Sequence, residues 1–99
     1  MKKENIEYCK NVADELKDLY DKGNLTEYFD DILDVRYIVN SKKEYLYSQI
    51  WVTLGGPSVW VDTQSRTVEL RWLTDSASYP IHLDVVEYID EIMREIFDN

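Results

Sequence analysis

Little in this chain of 99 residues can bind a metal or carry out catalysis, for it has one cysteine, one histidine, three glycines and two prolines. Zinc sites draw on clustered cysteine and histidine, and Cys9 and His82 alone exclude such a site within one subunit. A single cysteine also excludes an intrachain disulfide. Neither GxxxxGK[ST] nor GxGxxG is present to cradle a phosphate, no Asp-x-Asp-x-Asn-Gly loop offers a calcium site, and Gly55-Gly56-Pro57 reads as a turn. No cofactor is therefore expected. No apolar run reaches the roughly 18–20 residues of a membrane span, and Met-Lys-Lys-Glu-Asn at the start leads into an amphipathic stretch, with no signal peptide. The expectation is a cytoplasmic protein without membrane contact.

Positive charge is also scarce: eleven Lys and Arg stand against twenty Asp and Glu, a net of −9. The excess falls in two segments. Residues 14–34 hold eight acids against Lys17 and Lys22, a net of −6; residues 84–98 hold six against Arg94, a net of −5. Such a field repels nucleic acid and attracts basic surfaces. With 44% hydrophobic and 13% aromatic residues there is ample material for one core, so disorder is not expected and residues 1–99 read as one domain.

Ile6, Cys9, Val12, Ala13, Leu16, Leu19 and Tyr20 recur at three and four and predict a helix over 6–22, capped by Asn5 and ended by Gly23. Cys9 falls on the buried stripe, as a core residue and not a nucleophile paired with His82. Asn24-Leu-Thr-Glu27 resembles a capping box opening a second helix to Leu33. From Val35 the period becomes two. Strands are expected over 35–40, 45–54, 58–62 and 67–73, with residues 74–82 as a loop. A last helix has Asp84 as N-cap, Glu87 at N3 and a Leu83–Tyr88 staple, with Val85, Val86, Ile89, Ile92, Met93, Ile96 and Phe97 inward. The order ααββββα predicts an α+β fold: a four-stranded antiparallel meander with helices on one face.

Alternation divides the strands into two faces. Val35, Tyr37, Val39, Leu46, Ile50, Val52, Leu54, Val59, Val61, Val68, Leu70 and Trp72 are expected under the helices. Arg36, Ile38, Tyr45, Tyr47, Gln49, Trp51, Thr53, Trp60, Asp62, Glu69 and Arg71 are expected outward, where Tyr, Trp and Arg suit a binding or dimer surface as well as simple cross-strand shielding. Asp62, Glu69 and Asp75 stand apart from the acidic segments and are the carboxylates least easily dismissed as candidates for acid–base or metal chemistry. Asp75-Ser76 also suits a turn cap.

Gly55-Gly-Pro-Ser-Val-Trp-Val-Asp-Thr63, followed by Trp72-Leu-Thr-Asp-Ser-Ala-Ser-Tyr-Pro80, resembles a family of small acidic proteins from phages and mobile elements of Gram-positive bacteria. The resemblance covers residues 35–97. In size, acidity and setting that family is similar to anti-CRISPR and other anti-defence proteins. It implies a non-enzymatic inhibitor of a basic, nucleic-acid-handling host protein, such as a CRISPR effector. Glu27, Asp30, Asp31, Asp34, Glu87, Asp90, Glu91 and Glu95 would supply charge to such a contact, by imitating a row of phosphates. Tyr45, Tyr47, Trp51 and Trp60 would supply an apolar anchor or a homodimer contact. The alternative is a regulatory or assembly module that binds through the aromatic sheet face.

Overall fold

A computed structural model describes residues 3–31 and 34–99, apart from the side chain of Asp31. Helix α1 spans Lys3–Asp21, followed by the single-turn α2 (Leu25–Tyr28) and a 3-10 turn over Phe29–Asp31. Strands β1 (Asp34–Val39), β2 (Tyr45–Thr53), β3 (Ser58–Asp62), β4 (Thr67–Trp72) and β5 (Asp75–Pro80) precede α3 (Leu83–Asp98). The α+β class is as expected, but the sheet has five strands in the order β1-β2-β3-β4-β5, all antiparallel.

The fifth strand replaces the expected loop over 74–82. Asp-Ser-Ala-Ser-Tyr-Pro lacks an apolar alternation because only Ala77 and Tyr79 turn inward, opposite Leu70 and Val68. As an edge strand β5 needs one ladder only, so Pro80 is tolerated at its end. The β4–β5 hairpin turns on Leu73-Thr74, and Leu73 sits at φ 55. Left-handed backbone costs a branched residue roughly 1–2 kcal/mol, and glycine or asparagine is usual in such turns.

The first helix ends as its sequence implies. Gly23 (φ 74) donates to the Tyr20 carbonyl and Asn24 to that of Leu19, a Schellman closure. The other caps differ from expectation. Asn24 makes no side-chain cap bond, and the second helix gives way to the 3-10 turn at Phe29; its expected continuation through Ile32 and Leu33 lies outside the described residues. At α3 the N-cap is His82 and Asp84 lies inside the helix, so the capping box does not form. The His82 carbonyl accepts from the amides of Val85 and Val86. The staple fails too: Leu83 is exposed, and Tyr88 instead sets its ring edge-on to Tyr20 at 5.4 Å.

One core joins α1, α3 and one face of the sheet: Cys9, Val12, Ala13 and Leu16 meet Ile50, Val59, Val61, Val68, Leu70, Val85, Val86, Ile89 and Met93. Burial pushes the Cys9 thiol up to about 11, with Glu69 a lesser cause. Two irregularities in β2 alter the expected faces. Ile38 pairs with Tyr47 and Val39 with Tyr45, so Leu46 is an extra residue; a second shift leaves Val52 extra between Trp51 and Thr53. The first bulge turns Tyr45 into the core at 6% exposure and puts Leu46 in solvent, the reverse of the alternation; Val39, also expected inside, is exposed at the end of β1. Leu54 and Trp72, also expected inside, are exposed because both lie where their strands run out.

Candidate partner-binding surfaces

The net charge lies wholly outside the sheet. Residues 3–31 hold nine acids and four lysines (−5), residues 34–81 five acids and five bases (0), and residues 82–99 six acids and one arginine (−5). Along α1 much of it is compensated locally. Lys10–Asp14 at 3.0 Å, Lys17–Asp21 at 2.8 Å and Lys22–Asp18 at 2.9 Å are all i,i+4 pairs.

Helix α3 is different. It crosses the end of the sheet at which β1 and β5 finish and β2 begins: His82 follows β5, and Phe97 packs on Tyr37 and Tyr45. Glu87, Glu91 and Glu95 form an exposed row at intervals of four, about 6 Å apart along the axis. None has an ion-pair partner among the described residues, since Arg94 is engaged elsewhere. Beside this row lies α2. Thr26 joins Tyr88, Glu91, Ile92 and Glu95 in lining a groove of about 330 Å³. Glu27 follows Thr26 and Asp30 lies one turn on, both exposed. Two acidic elements far apart in sequence thus share one surface, with Tyr88 and Ile92 as an apolar floor that the charge pattern did not reveal.

Three expected contact residues lie elsewhere. Asp90 is a structural ligand: its Oδ1 accepts from the Tyr45 hydroxyl at 2.5 Å and the Thr63 hydroxyl at 3.1 Å, and Arg94 lies 3.8 Å from Oδ2. Tyr45 is buried in that network beside Ser48, with Arg94 stacked 4.7 Å from its ring centre. Burial and the bond to Asp90 push its phenol up to about 12. Asp34 opens β1 at the opposite end of the strands, 3.5 Å from Arg36 and opposite Trp51. The side chain of Asp31 lies outside the described residues.

On the helix-free face, Trp51 and Trp60 face each other across β2 and β3 and stack at 4.4 Å, with Arg36 lying 4.8 Å over Trp51. Both rings are half-buried, and Trp51 has ring-face contacts with both Trp60 and Arg36. The Trp51 indole N–H is buried without a hydrogen-bond partner among the described residues. Tyr47 lies beside Ile38 on the same face. Asp62 is consumed by its turn: Oδ1 accepts from the amides of Gln64 and Ser65 at 2.9 and 3.0 Å, and Oδ2 from Gln49 at 3.2 Å. Glu69 accepts from Thr67 at 2.7 Å. Asp75 begins β5, opposite Trp72 and directly after the Leu73-Thr74 turn.

Four exposed apolar side chains, including Leu73, the most exposed of the large hydrophobic ones among the described residues, lie at the far end of the sheet, where β2 and β4 end and β3 and β5 begin. Leu73 is 86% exposed, Leu54 54%, and Trp72 and Tyr8 38% each. Tyr8, Pro57 and Trp72, with Glu4, Asn5 and Gly56, line a cleft of about 400 Å³. Gly56 is required there, since a Cβ would fall 2.4 Å from the Trp72 ring. Sequence reasoning placed Trp72 in the core and missed this surface; the signal available was a leucine in a two-residue turn.

Among the described residues no cluster of three His, Cys, Asp or Glu side chains can hold a metal, and no helix is long and apolar enough to cross a membrane. No protein-family model, curated protein or solved structure matches the chain.

Proposed function

We propose that this protein is a non-enzymatic inhibitor of phage or mobile-element origin, acting in the host cytoplasm by binding a basic nucleic-acid-handling protein, such as a CRISPR effector. The observation that carries the reading is the uncompensated row Glu87, Glu91 and Glu95 set against α2, with Glu27 and Asp30 nearby. Like charges at i,i+4 destabilise a helix, so a row of them without lysines between is a cost to folding that an external cation would relieve. Carboxylates at this interval offer arginine and lysine side chains the regular anions they meet along a phosphate backbone, and Tyr88 and Ile92 add desolvated contact. The nucleic acid is then excluded from a channel already occupied. The aromatic sheet face is the weaker candidate, because Trp51 and Trp60 stack on each other and Arg36 lies over Trp51.

Pull-down from a host lysate with stepwise salt elution tests the proposal. A nucleic-acid-binding protein released by moderate salt is the expected capture. The triple variant Glu87→Gln, Glu91→Gln, Glu95→Gln should then weaken binding about tenfold or more at low salt, chiefly by slowing association. Capture that resists high salt and survives the triple variant would sink the electrostatic reading.

A further inference from the structure

We propose that the apolar end of the sheet is a self-association surface, on which a second copy of this chain docks by exchanging Leu73. The surface holds a convex and a concave element side by side. Leu73 projects at 86% exposure from the hairpin tip, and the adjoining Trp72 walls the cleft lined by Tyr8 and Pro57. A two-fold interface needs such a pair on one patch, because each protomer must offer what the other receives. With the axis between the two tips, each Leu73 enters the partner's Tyr8–Pro57–Trp72 cleft.

The backbone supports a purpose for this leucine. At φ 55 the turn would accept glycine or asparagine more readily, and an exposed branched side chain there adds nothing to the core. Charge selects the occupant. Two copies meeting through their α3 helices would oppose net charges of −5 with −5, whereas the chain at the hairpin and at the start of α1 carries both signs, with Lys3 and Arg71 against Glu4, Glu7 and Asp75. The nine residues of β2 separate the tip from the α3 end by roughly 26–30 Å, several Debye lengths at physiological salt. Like-charged copies can therefore approach here. A patch this small predicts a weak, concentration-dependent dimer, not an obligate one. The inference stands independently of the reading of the acidic groove.

Sedimentation velocity on the full chain across a concentration series decides it. The expected result is a mass rising from 11.8 kDa toward twice that value. Leu73→Asn, which suits left-handed backbone and should fold at least as well, is expected to remain monomeric. Tyr8→Lys, on the exposed side of α1, should do the same from the cleft side, while Trp60→Ser should still dimerise. A wild-type chain that stays monomeric at high micromolar concentration overturns the proposal and leaves the patch to another molecule. Equal dimerisation of wild type and Leu73→Asn overturns it too. Dimers lost in Trp60→Ser but kept in Leu73→Asn would move the interface to the aromatic face.

Discussion

Two tyrosines hold their protons well past the usual phenol range, and burial is the first cause in each. Tyr45 is pushed up to about 12 by burial and then by the Asp90 carboxylate it bonds; Tyr28 reaches about 12 by burial and then by the nearby Glu15. In the unfolded chain both return to about 10. Between those values the native state holds protons that the unfolded state has lost, so their contribution to stability is complete below about pH 10 and is lost as pH rises toward 12. Titration followed by tyrosinate absorbance should therefore show a late phase that coincides with alkaline unfolding. Tyr45→Phe and Tyr28→Phe should each remove amplitude from it. A late phase unchanged in both variants would refute the assignment.

At the scale of elements, α3 is pinned to the sheet by Asp90, which collects hydroxyls from β2 and from the turn after β3. Asp90→Ala leaves the Tyr45 and Thr63 hydroxyls without their acceptor and should lower stability by about 1–3 kcal/mol in chemical denaturation. Asp90→Asn retains one acceptor and should cost less; equal costs would mean that a neutral amide oxygen does not replace the carboxylate as acceptor. The same pin explains what was legible in the sequence and what was not. The 3.6-residue stripes of α1 and α3 and the alternation in β3 and β4 are local patterns, and those elements formed within a few residues of their expected bounds. Asp90 sits in the acidic stripe of α3, and no local pattern separates it from Glu91, because its partners lie 27 and 45 residues away. Tyr45 was misplaced for a different reason: a bulge shifts register without altering composition. β5 was hidden because an edge strand of Ser, Ala and Tyr has no apolar period. The groove between α2 and α3 depends on a tertiary approach that spacing does not encode.

For the whole molecule, the decisive feature is that the helices carry −10 between them while the residues of the sheet sum to zero. Self-repulsion on that side works against folding and is screened by salt. Moving from low to moderate sodium chloride should raise the melting temperature by about 4 °C or more. The Glu87→Gln, Glu91→Gln, Glu95→Gln variant should melt higher at low salt and respond less, and an identical salt response in both proteins would show that this row is not the source of the strain.

The same asymmetry gives the molecule a large electric moment. In the field of a basic surface such a body feels a torque before it makes contact. It turns its helices forward during diffusion, so a larger fraction of collisions arrive already oriented. The helix-free face of the sheet trails behind, away from the partner.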